Sequence, residues 1–347
     1  MNKIIKEDAQ ALANANLPWE KLNGKIVLIS GANGYVPAYF VHALLARNDL
    51  YGEGINVVAI CRNEEKAKER FGEYMGRGDF KLLVQDICEP IEVRGPLGYL
   101  IHAASPADIK TRNERPVETF RANVWGMENV LSLAREKQAE GVLLVSSVDV
   151  YGDTRAEERL TEDSGGYVDS LNPRNVYTIA KNAAEMLCSA YYAEYGTPAV
   201  IARLVQVMGP GIALHDKRLH IDFISQMLRG DEIVLKSDGS AKRSFLYITD
   251  AVAGMLFALL RGRPVEAYNV ADERCEATVL ELAELMSSIV ADRKISIRFD
   301  YNSRNSPEVK QAVSWVTADS SKLRSLGWGA KFGLKETAER MMRFYGI

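Results

Sequence analysis

Cysteine and histidine are scarce, with four of each in 347 residues. Cys61, Cys88, Cys188 and Cys275 are scattered, with no CxxC pair and no histidine at metal-ligand spacing. This excludes a disulfide framework and a zinc module, and fits buried or incidental thiols of a reducing compartment. No metal site is expected. Excess charge of one sign is also missing. At a net charge of −3 no face is forced to be basic, so nucleic acid is not an expected partner. No apolar run approaches a membrane span, and the first residues lack the apolar core of a signal peptide. A soluble, cytoplasmic protein without a membrane partner is expected. Repeats and low-complexity tracts are absent. With 47% apolar and 26% charged residues, the chain can form one large domain or two that share a cleft.

What is present is an alternation of short β runs and helical patterns. Residues 1–22 read as a polar, helical N-terminal extension. "KIVLIS" (25–30), "NVVAIC" (56–61), "FKLLV" (80–84), "LIHAA" (100–104), "VLLVSS" (142–147) and "AVIARLV" (199–205) are continuous apolar runs. Such runs fit strands buried on both faces, as in a parallel sheet. Between them, Val117, Phe120, Val124, Met127 and Leu131 mark one face of a helix. Another helix starts at Asn172-Pro173 and stops at Tyr195-Gly196, with Pro198 beyond. The fold class is α/β, a Rossmann-type doubly wound parallel sheet with a smaller C-terminal substrate-binding lobe. Residues 23–205, with about 243–270, are assigned to the dinucleotide-binding domain. About 206–242 and 271–347 are assigned to the lobe.

The first strand runs into "GANGYVP". Gly31 permits a tight turn, and Gly34 lets backbone N–H groups approach a pyrophosphate at the positive end of a helix. Pro37 stands where a third glycine is usual. Its fixed φ suits a first helical turn, so it should shift the packing without closing the phosphate site. The second strand ends at Arg62 rather than at the carboxylate expected for a ribose hydroxyl, which leans toward NADP over NAD. Asp86, after the third strand, is placed to reach the adenine edge.

Tyr177 and Lys181 stand four apart on one helix, which puts them on one face. An ammonium beside a phenol lowers the phenol's pKa. Such a Tyr can take a proton from a sugar hydroxyl while hydride leaves the carbon. Ser147 ends a predicted strand, at the sheet edge where this architecture binds ligands, and can hydrogen-bond the developing carbonyl oxygen. His42 and His102 read as structural. His215 and His220 flank a loop near the substrate lobe. Trp125, Trp315 and Trp328 read as packing aromatics.

"GANG", "HAASPA", "SSVDVYGD", "YTIAK" and "RSFLYITD" occur in the order found in extended short-chain dehydrogenase/reductases that modify nucleotide sugars. The chain resembles that family over about residues 24–330, and within it the UDP-glucuronate decarboxylases. The finer likeness rests on "ASPA" (104–107), on 161–181, on "HDKRLHIDF" (215–223) and on the closing Asp319, Lys322 and "LGW" (326–328). The resemblance implies a tightly bound NAD or NADP and a nucleotide-diphosphate sugar, in the first place a UDP-sugar. It implies a homodimer built through a four-helix bundle from the helices near 117–137 and 173–195. The Ser-Tyr-Lys triad falls on Ser147, Tyr177 and Lys181. The cofactor is expected at Gly31, Asn33, Gly34, Tyr35, Val36, Arg62, Asp86, Ile87, Ala103, Ala104, Ser105 and Asn123, with Tyr177 and Lys181. The substrate is expected at Ser105, Ser147, Arg174, Gln206, Arg218 and Arg243, with the last two on the diphosphate and Asn123 and Gln206 beside the sugar.

In all such enzymes oxidation at C4 comes first, and they differ in what the 4-ketone then permits. A C6 carboxylate becomes a β-keto acid and leaves as CO2. A C6 hydroxyl can be eliminated, and an inert ring can turn over and be reduced on its other face. Dehydratases of the family carry an Asp-Glu pair where this chain has Val148-Asp149. Val148 cannot protonate a leaving hydroxyl, which counts against dehydration. Asp149 can handle a proton at C5, which counts against simple epimerisation. Decarboxylation ranks first, then C4 epimerisation, then dehydration. A net NADPH-dependent reductase and a cofactor-binding sensor are the readings from other classes. Three departures stand out: Asp149 is a methylene shorter than the usual Glu, Gln206 replaces an Asn, and Val316 stands where the decarboxylases have an Arg. An anionic sugar calls for a fixed cation, and Arg174 is the candidate.

Overall fold

The computed structural model describes residues 1–106, 109–154, 158–290, 295–300 and 315–347. Ala107, which ends the "ASPA" motif, lies outside the described residues.

The six apolar runs form β1 (Ile26–Ser30), β2 (Asn56–Cys61), β3 (Phe80–Val84), β4 (Tyr99–His102), β5 (Gly141–Ser147) and β6 (Ala199–Leu204). Next come β7 (Gln206–Met208), β8 (Ile233–Leu235), β9 (Lys242–Tyr247) and β10 (Ala267–Val270). β11 (Glu276–Thr278) and β12 (Ile297–Phe299) close the series. The main sheet is parallel and seven-stranded, in the order β10-β6-β5-β4-β1-β2-β3. Strand order reverses between β1 and β4, which opens the ligand crevice of a doubly wound sheet at their C-terminal ends. β9 pairs parallel with β7 and antiparallel with β11, and β8 pairs with β12, in two small sheets beside the main one.

The helices are α1 (Lys3–Ala13), α2 (Tyr35–Tyr51), α3 (Glu64–Phe71), α4 (Ile109–Glu114), α5 (Pro116–Glu136) and α6 (Val176–Tyr195). They continue with α7 (Leu219–Arg229), α8 (Ile248–Arg261), α9 (Val279–Ile289), α10 (Ser321–Arg324) and α11 (Leu334–Tyr345). Successive strand residues face opposite helical layers. Val27 and Ile29 pack in one core with Phe40, Leu44 and Val252 of α2 and α8. Leu28 between them packs in a second core with Met127 and Leu131 of α5 and Cys188 of α6. That is why these strands read as unbroken apolar runs.

α1 lies against α2 and α8. Its Asp8 is 1% exposed. The carboxylate accepts from Tyr247 Oη at 2.7 Å and from Arg340 Nη2 at 2.6 Å, so the first helix is tied to β9 and α11. Tyr151, in the turn after β5, donates to Asn269 Oδ1 of β10 at 2.6 Å. Asn269 donates in turn to the carbonyls of Leu160 and Asp319. These polar groups are buried but satisfied, and they fix the turn that carries Asp149.

Candidate active site

The turn after β1 has the shape of a phosphate cradle. Gly31 has φ +65°, and a Cβ there would lie 2.7 Å from Ala104 Cα, in the backbone that leaves β4. That backbone is held by Ser30 Oγ, which accepts from the N–H groups of Ala103 and Ala104. Gly34 is the N-cap of α2 and makes no side-chain cap, so the first N–H groups of the helix, those of Tyr35 and Val36 among them, remain for an anion. Pro37 is the third residue of α2, where its missing N–H has no partner within the helix to lose. A Cβ on Gly34 would sit 3.1 Å from Pro37 Cγ, so the proline presses on the second glycine and leaves the turn open. These features fit a dinucleotide pyrophosphate.

At the adenosine end, Arg62 Nη1 lies 2.7 Å from Glu118 Oε1 and 3.8 Å from Asp86 Oδ2. Its charge is already matched, which removes the lean toward a 2′-phosphate. Asp86 Oδ1 accepts from the N–H of Cys88, and the Ile87 carbonyl accepts from Asn129 Nδ2. Asn123 is buried on α5 and donates to Ser105 Oγ at 3.0 Å; its Oδ1 has no partner among the described residues. Asn33 in the turn and Val36 in the first turn of α2 are half-buried.

Ser147 ends β5 and caps the short turn that follows, accepting from the N–H of Asp149 at 3.2 Å. Asn172 starts the turn into α6 by accepting from the N–H of Arg174 at 3.1 Å, and α6 then carries Tyr177 and Lys181. Lys181 is 2% exposed, and its Nζ donates to the Val145 carbonyl at 2.7 Å. Burial, with Arg112 adding to it, pushes this amine down to about 7. The Tyr177 phenol is raised, not lowered. Burial outweighs Arg112, Ser147 and Arg218, which all favour the phenolate, and Asp149 opposes them. The sequence leads one to expect a phenol lowered by the Lys181 ammonium; in the fold, burial is the larger influence on it. Lys181 Nζ lies 5.8 Å from the ring centre, and burial lowers its own pKa.

The cation nearest the Tyr177 ring is Arg112 of α4, which the sequence reading missed. Its guanidinium carbon lies 3.4 Å from the ring centre, and its Nη1 lies 3.7 Å from Asp149 Oδ2. Arg218 caps α7, lies 5.6 Å from the Tyr35 ring centre and acts electrostatically on Tyr177. Arg243 on β9 is half-buried and faces the charge of Asp149; burial lowers its pKa and Asp149 opposes that. The structure thus brings Ser147, Asp149, Tyr177, Lys181, Arg218 and Arg243 together. Gln206 opens β7 with its side chain exposed. Arg174 is exposed beside the entry to α6, and the guanidinium that lies over the Tyr177 ring is that of Arg112. Val316 bridges to Arg243.

His42 pairs with Tyr74 Oη at 2.9 Å inside an aromatic cluster, and burial pushes it to about 3. His102 Nδ1 lies 2.9 Å from Ser30 Oγ beneath the glycine turn. His220 is buried on α7, and His215 is exposed. Trp125 is 44% exposed, which overturns its reading as a packing aromatic within the monomer. Among the described residues no helix is long and apolar enough to cross a membrane.

The pattern of the NAD dependent epimerase/dehydratase family matches residues 27–271. UDP-glucuronic acid decarboxylase 1 of Arabidopsis thaliana is 31% identical over 317 residues, covering 91% of this chain and 68% of that protein. UDP-glucuronic acid decarboxylase 3 of the same plant is 30% identical, covering 89% of this chain and 86% of that protein. Among solved structures, dTDP-glucose 4,6-dehydratase from Bacillus anthracis, in complex with NAD, superposes with a TM-score of 0.77 at 20% identity. It covers 92% of this chain and 96% of the other. UDP-glucuronic acid 4-epimerase from Bacillus cereus, with UDP-glucuronic acid and NAD, gives 0.74 at 20% identity, covering 92% and 98%. The structural likenesses establish the fold; the family pattern and the sequence relatives go further, and this chain belongs to the NAD dependent epimerase/dehydratase family, as an enzyme that modifies nucleotide sugars.

Proposed function

We propose that the enzyme decarboxylates a UDP-glucuronate-type substrate after oxidising it at C4. The observation that carries this is the pair Val148-Asp149 beside Tyr177. One carboxylate faces the reacting end of the site, and the residue before it is a buried valine. The relatives named above supply the substrate class. NAD held at the glycine turn would supply the hydride acceptor for C4 and the hydride donor for the closing reduction. Tyr177 Oη takes the proton from O4, and Ser147 Oγ donates to the oxygen as it becomes a ketone. The C5–C6 bond then breaks, CO2 leaves, and the electron pair passes into the C4–C5 enolate. Asp149 governs the proton that C5 takes up, and Tyr177 gives its proton back to O4. Lys181 holds the cofactor ribose and favours the phenolate when charged. Arg218 and Arg243 take the diphosphate, with Ser105, Asn123 and Gln206 beside the sugar. The remaining turn residues, Arg62, Asp86, Ile87, Ala103 and Ala104 line the cofactor.

The two-part division proposed from sequence draws support from α8 and β10, which pack on the main sheet. We place the enzyme in the cytoplasm, as a homodimer through α5 and α6. Val117, Trp125, Leu171, Met186, Tyr192 and Tyr195 are exposed apolar or aromatic groups on and beside these helices. Val117, Phe120, Trp125 and Leu171 line an apolar groove of about 560 Å³. Such a surface suits burial against a second copy.

The test is incubation with UDP-glucuronate and no added cofactor, following mass and CO2. Loss of CO2 is expected. An unchanged mass with altered ring couplings by NMR means C4 epimerisation, the reading that Val316 favours by leaving no arginine at that position. No reaction with any uronate removes decarboxylation.

A further inference from the structure

The cleft carries more positive charge than a neutral sugar nucleotide needs. Arg112, Arg218 and Lys181 lie around Tyr177 and Arg243 faces Asp149; the carboxylates set against these four cations include Asp149 and Asp216, the latter 3.6 Å from Arg218. Two arginines suffice for a diphosphate. Arg112 is left over, and it lies at the reacting end. Its Nε donates to the Pro106 carbonyl at 3.3 Å, which fixes the head group, and its guanidinium covers the Tyr177 ring at 3.4 Å. A sugar whose O4 meets Tyr177 has C6 only two bonds from C4, on the ring carbon where Asp149 is to act. An acidic group at C6 therefore comes within reach of the cation that is paired with Asp149 at 3.7 Å.

We infer that Arg112 selects acidic sugars: it binds the C6 carboxylate and in doing so gives up Asp149, which becomes free to handle the proton at C5. The inference rests on the C4-oxidation reading of the site. A neutral hexose offers Arg112 nothing in exchange for Asp149. A uronate offers two oxygens to a planar fork of donors, the geometry in which Arg outperforms Lys. The same contact thus does two things, choosing the substrate and arming the carboxylate beside it.

The test compares UDP-glucuronate with UDP-glucose by calorimetry on NAD-loaded wild type, Arg112→Gln and Arg112→Lys. Wild type is expected to favour UDP-glucuronate by at least about tenfold, as one charge-assisted pair provides. Arg112→Gln should bring the two ligands within about threefold, by weakening UDP-glucuronate alone. Arg112→Lys should fall between. Equal binding of both ligands by wild type, equal weakening of both by Arg112→Gln, or no binding of UDP-glucuronate overturns the inference. Unchanged NAD content and melting temperature show that the variants fold; if Arg112→Gln does not, the wild type and Arg112→Lys comparison decides. CO2 release measured on the same samples separates the two claims. A preference that Arg112 controls without any CO2 refutes decarboxylation and leaves Arg112's role standing. Undiminished CO2 release by Arg112→Gln does the reverse.

Discussion

Gly31 and Gly34 sit in one turn but should fail in different ways when a methyl is added. At Gly31 the backbone is left-handed, φ +65°, which costs an L-residue ~1–2 kcal/mol. The new Cβ would also lie 2.7 Å from Ala104 Cα, a backbone atom in a segment that Ser30 holds. Ordinary contact requires a shift of more than half an ångström in one of two anchored chains. Strain and clash together come to about 2–4 kcal/mol. Spread over a domain of this size, that lowers the melting temperature by about 3–5 °C. At Gly34, φ is −65° and ψ 166°, open to any residue. Its Cβ would stand 3.1 Å from Gly31 O and from Pro37 Cγ, which a few tenths of an ångström relieve. Gly34→Ala should therefore keep its melting temperature within about 1–2 °C when stripped of cofactor, since the local strain is small. It should nevertheless bind NAD at least about tenfold more weakly, because the methyl stands where the pyrophosphate meets the helix. Scanning calorimetry of stripped protein and NAD titration by tryptophan quenching read the two effects separately. Full NAD affinity in Gly34→Ala refutes the phosphate-cradle reading. An unchanged melting temperature in Gly31→Ala refutes the close-approach argument.

Tyr177→Phe should lower turnover by at least about a hundredfold through loss of the proton-transferring hydroxyl, with NAD content unchanged; substrate conversion followed by mass spectrometry checks both. Asp8→Asn removes the nearer carboxylate of Arg340 and leaves it Glu7 at 3.7 Å, so urea unfolding should show a loss of about 1–3 kcal/mol. Asp250 is buried, and burial, opposed by the N–H groups of Lys331 and Phe332, raises its pKa to about 6. The folded protein then binds more protons than the unfolded chain between about pH 4 and 6. This group's contribution to stability is present below pH 4 and lost by about 3 kcal/mol as pH rises to 6. Urea midpoints from pH 4 to 7 should lose that part of their slope in Asp250→Asn.

Six of the seven main-sheet strands were legible because strands inside the sheet are apolar almost without interruption, and the edge strand β3 is apolar but for Lys81. β10 was not, and Asn269 is the reason. A fully buried polar side chain breaks the run in "AYNV", and only the fold shows that Tyr151, Leu160 and Asp319 satisfy it. Tyr177, Lys181 and Ser147 were found because spacing and strand position are local properties. Arg112 escaped for the opposite reason. "IKTRNERP" reads as a solvated polar stretch, and nothing in it marks one arginine among its charges. Its one available signal was position, on the segment that leaves the C-terminal end of β4, where this architecture gathers ligand contacts. Trp125 was misread because helical spacing says which residues share a face but not whether that face meets its own chain.

The electrostatics of the site give the substrate a part in readying its own base. Burial raises the Tyr177 phenol and lowers the Lys181 amine to about 7, so each is pushed toward its uncharged form. Arg112 adds to the depression of Lys181. An anion that takes up the guanidinium charge removes that repulsion, and any negative charge brought into the cleft raises the amine's pKa again. The same anion works against the Tyr177 phenolate, because it takes up the Arg112 charge that favours it and frees Asp149, which opposes it. A neutral sugar would leave Arg112 paired with Asp149 and Lys181 depressed. Selection of an acidic sugar and release of Asp149 are on this reasoning two consequences of one displaced ion pair, which is why a lone arginine on a six-residue helix can matter as much as the triad itself.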